Sequence, residues 1–265
     1  MEALKKFYNG FRDFVDGFAN SEAENDNRPR KMENRVAWYA EWDNNYFGTL
    51  LENPVTKSVL RKIADFYYGE QLESLLREAT ELTEETYPKL HGIYSQCCNS
   101  LGMYIRPQAY VTGKMKGVNA LSIEVKERKV ILISPQAAIS IPSEEQSFIL
   151  GHELGHHQQG NLVCHTVNGL LDDFNRASEI FGPLVLDAIE VPLKRWCRCS
   201  EFNADRAGYI CCRNEEVIRH LFEHLGMRAQ PSGFAEYEEL AAAHPLLSTR
   251  WSVLKQYIEL NSNRI

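Results

Sequence analysis

The chain predicts a mainly helical α+β protein in which a small antiparallel sheet leads directly into one chemically equipped helix. Three observations carry this. Apolar residues recur at three-to-four spacing through most of the chain, the period of a helix buried on one face. Three short β-type runs, 104–112, 117–124 and 129–134, are separated by glycine and charged turns. Immediately after them, Pro142 to Gly160 holds Ser143 and Gln146 in capping-box spacing and a terminal glycine, the start and stop signals of one helix.

From the N-terminus, residues 2–18 place Leu4, Phe7, Phe11, Phe14 and Phe18 on one face, so an amphipathic helix is expected. Its polar face is mixed in sign rather than basic, which favours packing or an oligomer or partner contact over a membrane surface. Residues 20–34 are almost wholly polar and read as a linker. The aromatic cluster between 35 and 52 reads as core. Helices are expected over 55–69 and over 71–101, the latter with a break or fresh start at Pro88. Val130 to Ile133 is the most apolar of the β-type runs and is the expected inner strand, with residues 126–129 as a hairpin tip. The expected division is an N-terminal helical region, 1–70, and a second domain, 71–265, built around the chemically equipped helix.

The helix from Pro142 carries His152-Glu153-Leu154-Gly155-His156. Residues four apart share a helix face, so His152 and His156 can address one metal ion. Two neutral imidazoles suit zinc, and Glu153 beside them suits a general base acting on water. A catalytic zinc needs a third protein ligand and one open position. The H-E-x-x-H-x-x-G-x-x-H extension fails, because Gln159 and Leu162 stand where Gly and His would be. A downstream glutamate remains, from Glu179, Glu190 and Glu201. Glu201 has the best context: Asp205 lies one turn on, with Ala204 and Gly208 permitting close helix approach. Asp205 can accept the second N–H of a liganding histidine. His157, His165, His220 and His224 read as surface or packing residues, and the adjacent cysteines as small buried hydrophobes.

Composition narrows the class. The chain has 265 residues, 25% of them charged, and a net charge of −7, with no basic stripe, so a nucleic-acid partner is not expected. No apolar run reaches the roughly 18 residues of a membrane span, and Met1 to Gly10 lacks the apolar core of a secretory signal. Seven cysteines, an odd number with two adjacent pairs, suggest reduced thiols and a cytoplasmic setting.

The H-E-L-G-H helix, the later E-x-x-A-D at Glu201 to Asp205, and His244-Pro245-Leu246-Leu247-Ser248-Thr249-Arg250 together resemble the HtpX / type I CaaX prenyl protease family of gluzincin metallopeptidases, over roughly residues 85–255. The resemblance implies one zinc ion on His152, His156 and Glu201, with Glu153 as general base and acid. It implies that Arg250 pairs with Asp205 and that His244 stabilises the oxyanion. Val118-Asn119-Ala120 is similar to the family's substrate-aligning edge strand, which makes Asn119 and Ala120 candidates for binding peptide or protein substrate. An edge strand can add a peptide by main-chain pairing. The chain departs from the family at Gln159-Gly160-Asn161, where another histidine is frequent. It departs again in residues 162–198, whose charges and prolines do not suit a membrane hairpin. A compact member similar to the minigluzincins, without membrane spans, is therefore expected, and action on prenylated substrates is not implied. The alternative is a catalytically silent or latent member that binds or regulates through its N-terminal helices.

Overall fold

The computed structural model describes residues 54–160, 162–171, 183–227 and 246–261. The expected helix 2–18, the linker 20–34, the aromatic cluster 35–52 and His244 lie outside the described residues. In chain order the elements are α1 (Pro54–Glu78), β1 (Thr80–Glu81), α2 (Pro88–Ser100), β2 (Gln108–Val111), β3 (Ala120–Val125) and β4 (Arg128–Ile133). Then follow α3 (Pro135–Ile139), α4 (Ser143–Gln159), α5 (Leu162–Leu171), α6 (Pro183–Cys212), α7 (Glu215–His224) and α8 (Leu247–Asn261). The mainly helical α+β class is as the sequence predicts. Two expected helices merge, however, and α1 runs unbroken across residue 70. Pro88 opens α2, where its missing N–H costs nothing.

The sheet corrects one expectation. It is mixed rather than antiparallel, with four strands in the order β1-β2-β4-β3. β3 and β4 form the expected hairpin, closed by Val125 opposite Arg128. Lys126 and Glu127 at its tip take φ of 50° and 60°, the paired left-handed turn that matches strand twist. β4 then lies parallel to β2, with Tyr110 opposite Leu132. The reason is burial. Val130, Ile131, Leu132 and Ile133 are all essentially inaccessible, so apolar side chains occupy both faces of the strand. Such a strand gains most at the centre of a sheet. It therefore sits between β2 and β3, and β3 is displaced to the edge.

α4 is the central helix. Leu150 and Leu154 are buried in the main core with Leu101, Ile131 and Ile133. The capping box does not form: Pro142 takes the cap position without a side-chain bond. Gln146 instead donates to the carbonyls of Ala137 and Ala138, at 3.2 and 2.8 Å, tying the start of α4 to α3. Glu144 and Glu145 meet the positive end of the helix dipole. Gly160 ends the helix in the left-handed conformation, φ 85°, as its position predicts.

α6 crosses α4 at unusually short range. A Cβ on Gly155 would come within 2.9 Å of the Ala207 Cβ and 3.0 Å of the Ala204 Cα. One on Gly151 would meet the Cys211 Sγ at 2.7 Å. Only glycine fits at either place. This contact brings the two helices that carry the candidate ligands face to face.

Candidate metal centre

His152 and His156 lie one turn apart on α4 and Glu201 on the facing side of α6. The His152 Nε2 is 3.1 Å from the His156 Nε2. Glu201 places Oε2 3.6 Å from the first and Oε1 3.4 Å from the second. All three ligand atoms fall within 4.8 Å of one another, so these residues could hold one metal ion. Glu201 and His156 are buried, and His152 nearly so.

Each group is held from behind. Asp205, fully buried, has Oδ1 3.0 Å from the His152 Nδ1. Arg250 of α8 donates to both Asp205 oxygens, its Nε reaching Oδ2 at 2.8 Å. Its Nη1 lies 3.0 Å from the Glu201 Oε2. Burial alone would raise the Asp205 carboxyl, but Arg250 outweighs it and holds the pKa below the usual value. Burial likewise opposes charge on Arg250, yet Asp205 and Glu201 hold its pKa above the ordinary arginine value. At His152, burial disfavours the cation, but the Asp205 hydrogen bond and the Glu201 charge prevail and raise its pKa. The site as built attracts positive charge.

Behind His156 the support is different. Its Nδ1 is 3.3 Å from the Ser200 Oγ, and the same oxygen is 2.6 Å from the His165 Nε2. The His165 ring centroid lies 4.1 Å from that of His156, the rings tilted, and 5.2 Å from that of Trp196, edge to face. Gln159 fixes the main chain there, donating to the Ser200 carbonyl at 3.1 Å. Sequence reasoning set His165 aside as surface or packing and passed over Ser200. The usable signal was α5 itself, where Leu162, His165 and Thr166 share one inward face.

Glu153, also buried, faces a cavity of about 380 Å³ shared with His152, His156 and Glu201. Asn119 and Ala120 line the same cavity from the sheet edge, so the structure brings these candidates together with the triad. Ser122 of β3 donates to the Glu153 carbonyl at 3.1 Å, clamping that edge to α4. Leu221 and Phe222 of α7 and Leu247 of α8 give the cavity an apolar wall that sequence reasoning did not foresee. Cys197, one turn before Glu201, is buried against the Cys164 carbonyl and is not part of the cavity wall. His157, next to His156, points away from the cluster. Burial pushes its pKa down to about 3, so it is a neutral core residue.

Two imidazoles and a carboxylate converging on one point, backed by an Asp–Arg pair, form a cluster that could hold a metal ion. The chain belongs to peptidase family M48, whose pattern it matches over residues 84–258. It is also similar to the plastoglobule-localized metallopeptidase 48 of Arabidopsis thaliana, a chloroplast protein, at 26% identity over 130 residues. That match covers 49% of this chain and 37% of the plant protein, so the chain spans little more than a third of that relative's length. No helix among the described residues is long and apolar enough to cross a membrane.

Proposed function

We propose that this protein is a zinc-dependent endopeptidase of the gluzincin type. The observation that carries the reading is the convergence of His152, His156 and Glu201 within 4.8 Å beside a cavity that Glu153 also faces. The donor set fits zinc. If the His152 Nδ1–H donates to Asp205, its Nε2 presents a lone pair toward the carboxylate oxygens. With both Nε2 atoms unprotonated, electron-rich atoms face one another, an arrangement a cation relieves. Two nitrogens and a carboxylate, with a side open to the cavity, suit a catalytic rather than a closed structural zinc.

Zinc bound there supplies Lewis acidity, bringing a water's pKa toward neutrality and polarising the scissile carbonyl. The chain's own groups do the rest. Glu153 takes the water's proton and later delivers it to the leaving amine. Arg250 and Asp205 keep His152 oriented. Asn119 and Ala120, at the start of β3 on the sheet edge, align the substrate's main chain. His244, assigned by its motif, donates to the oxygen that gains negative charge, a contact whose loss typically costs about 10²–10³ in kcat. The seven cysteines, none of them in a disulfide, suit a reducing, cytoplasmic setting.

Glu153→Gln tests the reading. The amide keeps the shape but cannot accept the proton. Zinc content by elemental analysis should persist while cleavage of a quenched-peptide library disappears. Retained cleavage would remove Glu153 from the mechanism.

A further inference from the structure

Around the triad, one group of side chains has no role in the chemistry above: Ser200 with His165. Ser200 precedes a candidate ligand on α6, and His165 comes from α5, which bears no part of the three motifs. The hydroxyl bridges two imidazoles, 3.3 Å from the His156 Nδ1 and 2.6 Å from the His165 Nε2. Ser200 is 1% exposed, so water cannot substitute for either partner. We propose that Ser200 and His165 form a polarised relay that fixes His156 in the tautomer offering its Nε2 lone pair to the metal. Both are positioning residues, and the inference rests on the zinc reading above.

The argument is donor counting. A serine hydroxyl has one proton to give and lone pairs to accept with. Three arrangements are therefore available, because the oxygen can also accept from both imidazoles at once while its proton goes elsewhere; the other two run as a relay. In one, the His156 Nδ1–H donates to Ser200, and the Ser200 O–H donates to the His165 Nε2. In the other, His165 donates to Ser200 and Ser200 donates to the His156 Nδ1. The second polarity puts an N–H on the His156 Nε2, aimed at the point where Glu201 and His152 converge, and blocks the cation. The first leaves a ligand lone pair, as does acceptance from both rings, but only the first commits the hydroxyl proton to His165. In the proposed relay His165 has the deciding part: with its Nε2 unprotonated, the 2.6 Å contact takes the hydroxyl proton and leaves Ser200 to accept from the His156 Nδ1–H. The His165 ring is held for this by tilted and edge-on packing against His156 and Trp196.

The relay does for His156 what Asp205 does for His152, without a charge. Its test uses zinc affinity of the full chain by chelator competition, with thermal melting as the folding control. Ser200→Ala should weaken zinc binding about 10-fold or more, the usual scale for groups that orient metal-bound histidines. His165→Phe keeps the ring packing, removes the acceptor and should weaken binding less. Ser200→Thr keeps the hydroxyl and should restore most of the affinity. Affinities of the alanine and phenylalanine variants within twofold of the parent, at unchanged melting temperature, would overturn the relay while leaving the zinc site standing. A parent chain that binds no zinc would overturn both. Should Ser200→Ala fail to fold, ¹⁵N chemical shifts of the metal-free parent decide: a proton on the His156 Nδ1 with the His165 Nε2 unprotonated supports the relay, and a proton on the His156 Nε2 or the His165 Nε2 rejects it.

Discussion

His152 and His156 come within 3.1 Å of each other at their Nε2 atoms, yet opposite kinds of chemistry support them. His152 leans on a buried carboxylate that is neutralised by a buried guanidinium. His156 leans on a hydroxyl and a third imidazole, with no formal charge. The charged side spans three contributions, from α4, α6 and α8, and the neutral side draws on α4, α5 and α6. The difference teaches how one site can attract a cation while one guanidinium offsets part of its buried charge. Asp205 and Glu201 bring two negative charges and Arg250 returns one positive charge. A second carboxylate behind His156 would have left another buried charge to compensate, which is expensive in a dry interior.

The comparison breaks most readily at Asp205. Asp205→Asn keeps the volume but removes the charge, stranding Arg250 and loosening His152. Zinc affinity should fall by about 100-fold, the upper end for groups behind a metal histidine. Ser200→Ala should fall short of this. Equal losses in the two variants, read by the same chelator competition, would show that charge adds nothing to the support of His152.

A smaller effect is expected where both sides are disturbed together. Gly155→Ala drives a methyl into Ala207 and the Ala204 backbone, so α6 must move off α4 and carry Glu201, Ser200 and Asp205 with it. Overpacking of this kind costs about 1–3 kcal/mol of stability. Melting temperature should drop, and zinc affinity should fall with both supports intact in composition. Unchanged melting would mean that the interhelical contact has slack.

How much of this was legible beforehand follows from the range of each interaction. His152, Glu153 and His156 are set by spacing within one helix, and the helix period alone puts the two imidazoles side by side. Glu201 and Asp205 were legible because small residues at 204 and 208 announced a close helix contact on the same face. Ser200 and His165 were not, because their pairing depends on where α5 lands, and no local period encodes that. The parallel pairing of β2 with β4 escaped for the same reason. Local turn signals specify the β3–β4 hairpin, but strand order follows from which strand is apolar on both faces. Gln146 shows a local signal overridden: its spacing fits a capping box, while two carbonyls of α3 offered it a better partnership.

The smallest effect sharpens the comparison by supplying a buried charge with no metal nearby. Glu124 of β3 is 3% exposed and accepts from the Arg61 Nε of α1 at 3.0 Å, with the Lys129 Nζ at 3.7 Å. Its main-chain N–H donates to the Thr166 Oγ1 of α5 at 2.9 Å, so α1, α5 and the edge strand meet at this carboxylate. Arg61→Ala removes one cation and leaves the other. Loss of a sole partner to a buried charge costs about 3–5 kcal/mol, and an exposed pair contributes about 0–1 kcal/mol. With Arg61 itself 44% exposed and Lys129 remaining, a loss near 1 kcal/mol is expected, or about 2–4 °C in melting temperature. Zinc affinity should not change, since neither support of the triad touches Glu124. A concurrent drop in affinity would mean that the edge strand, clamped to Glu153 through Ser122, transmits strain into the site, and the two supports could then no longer be treated as local.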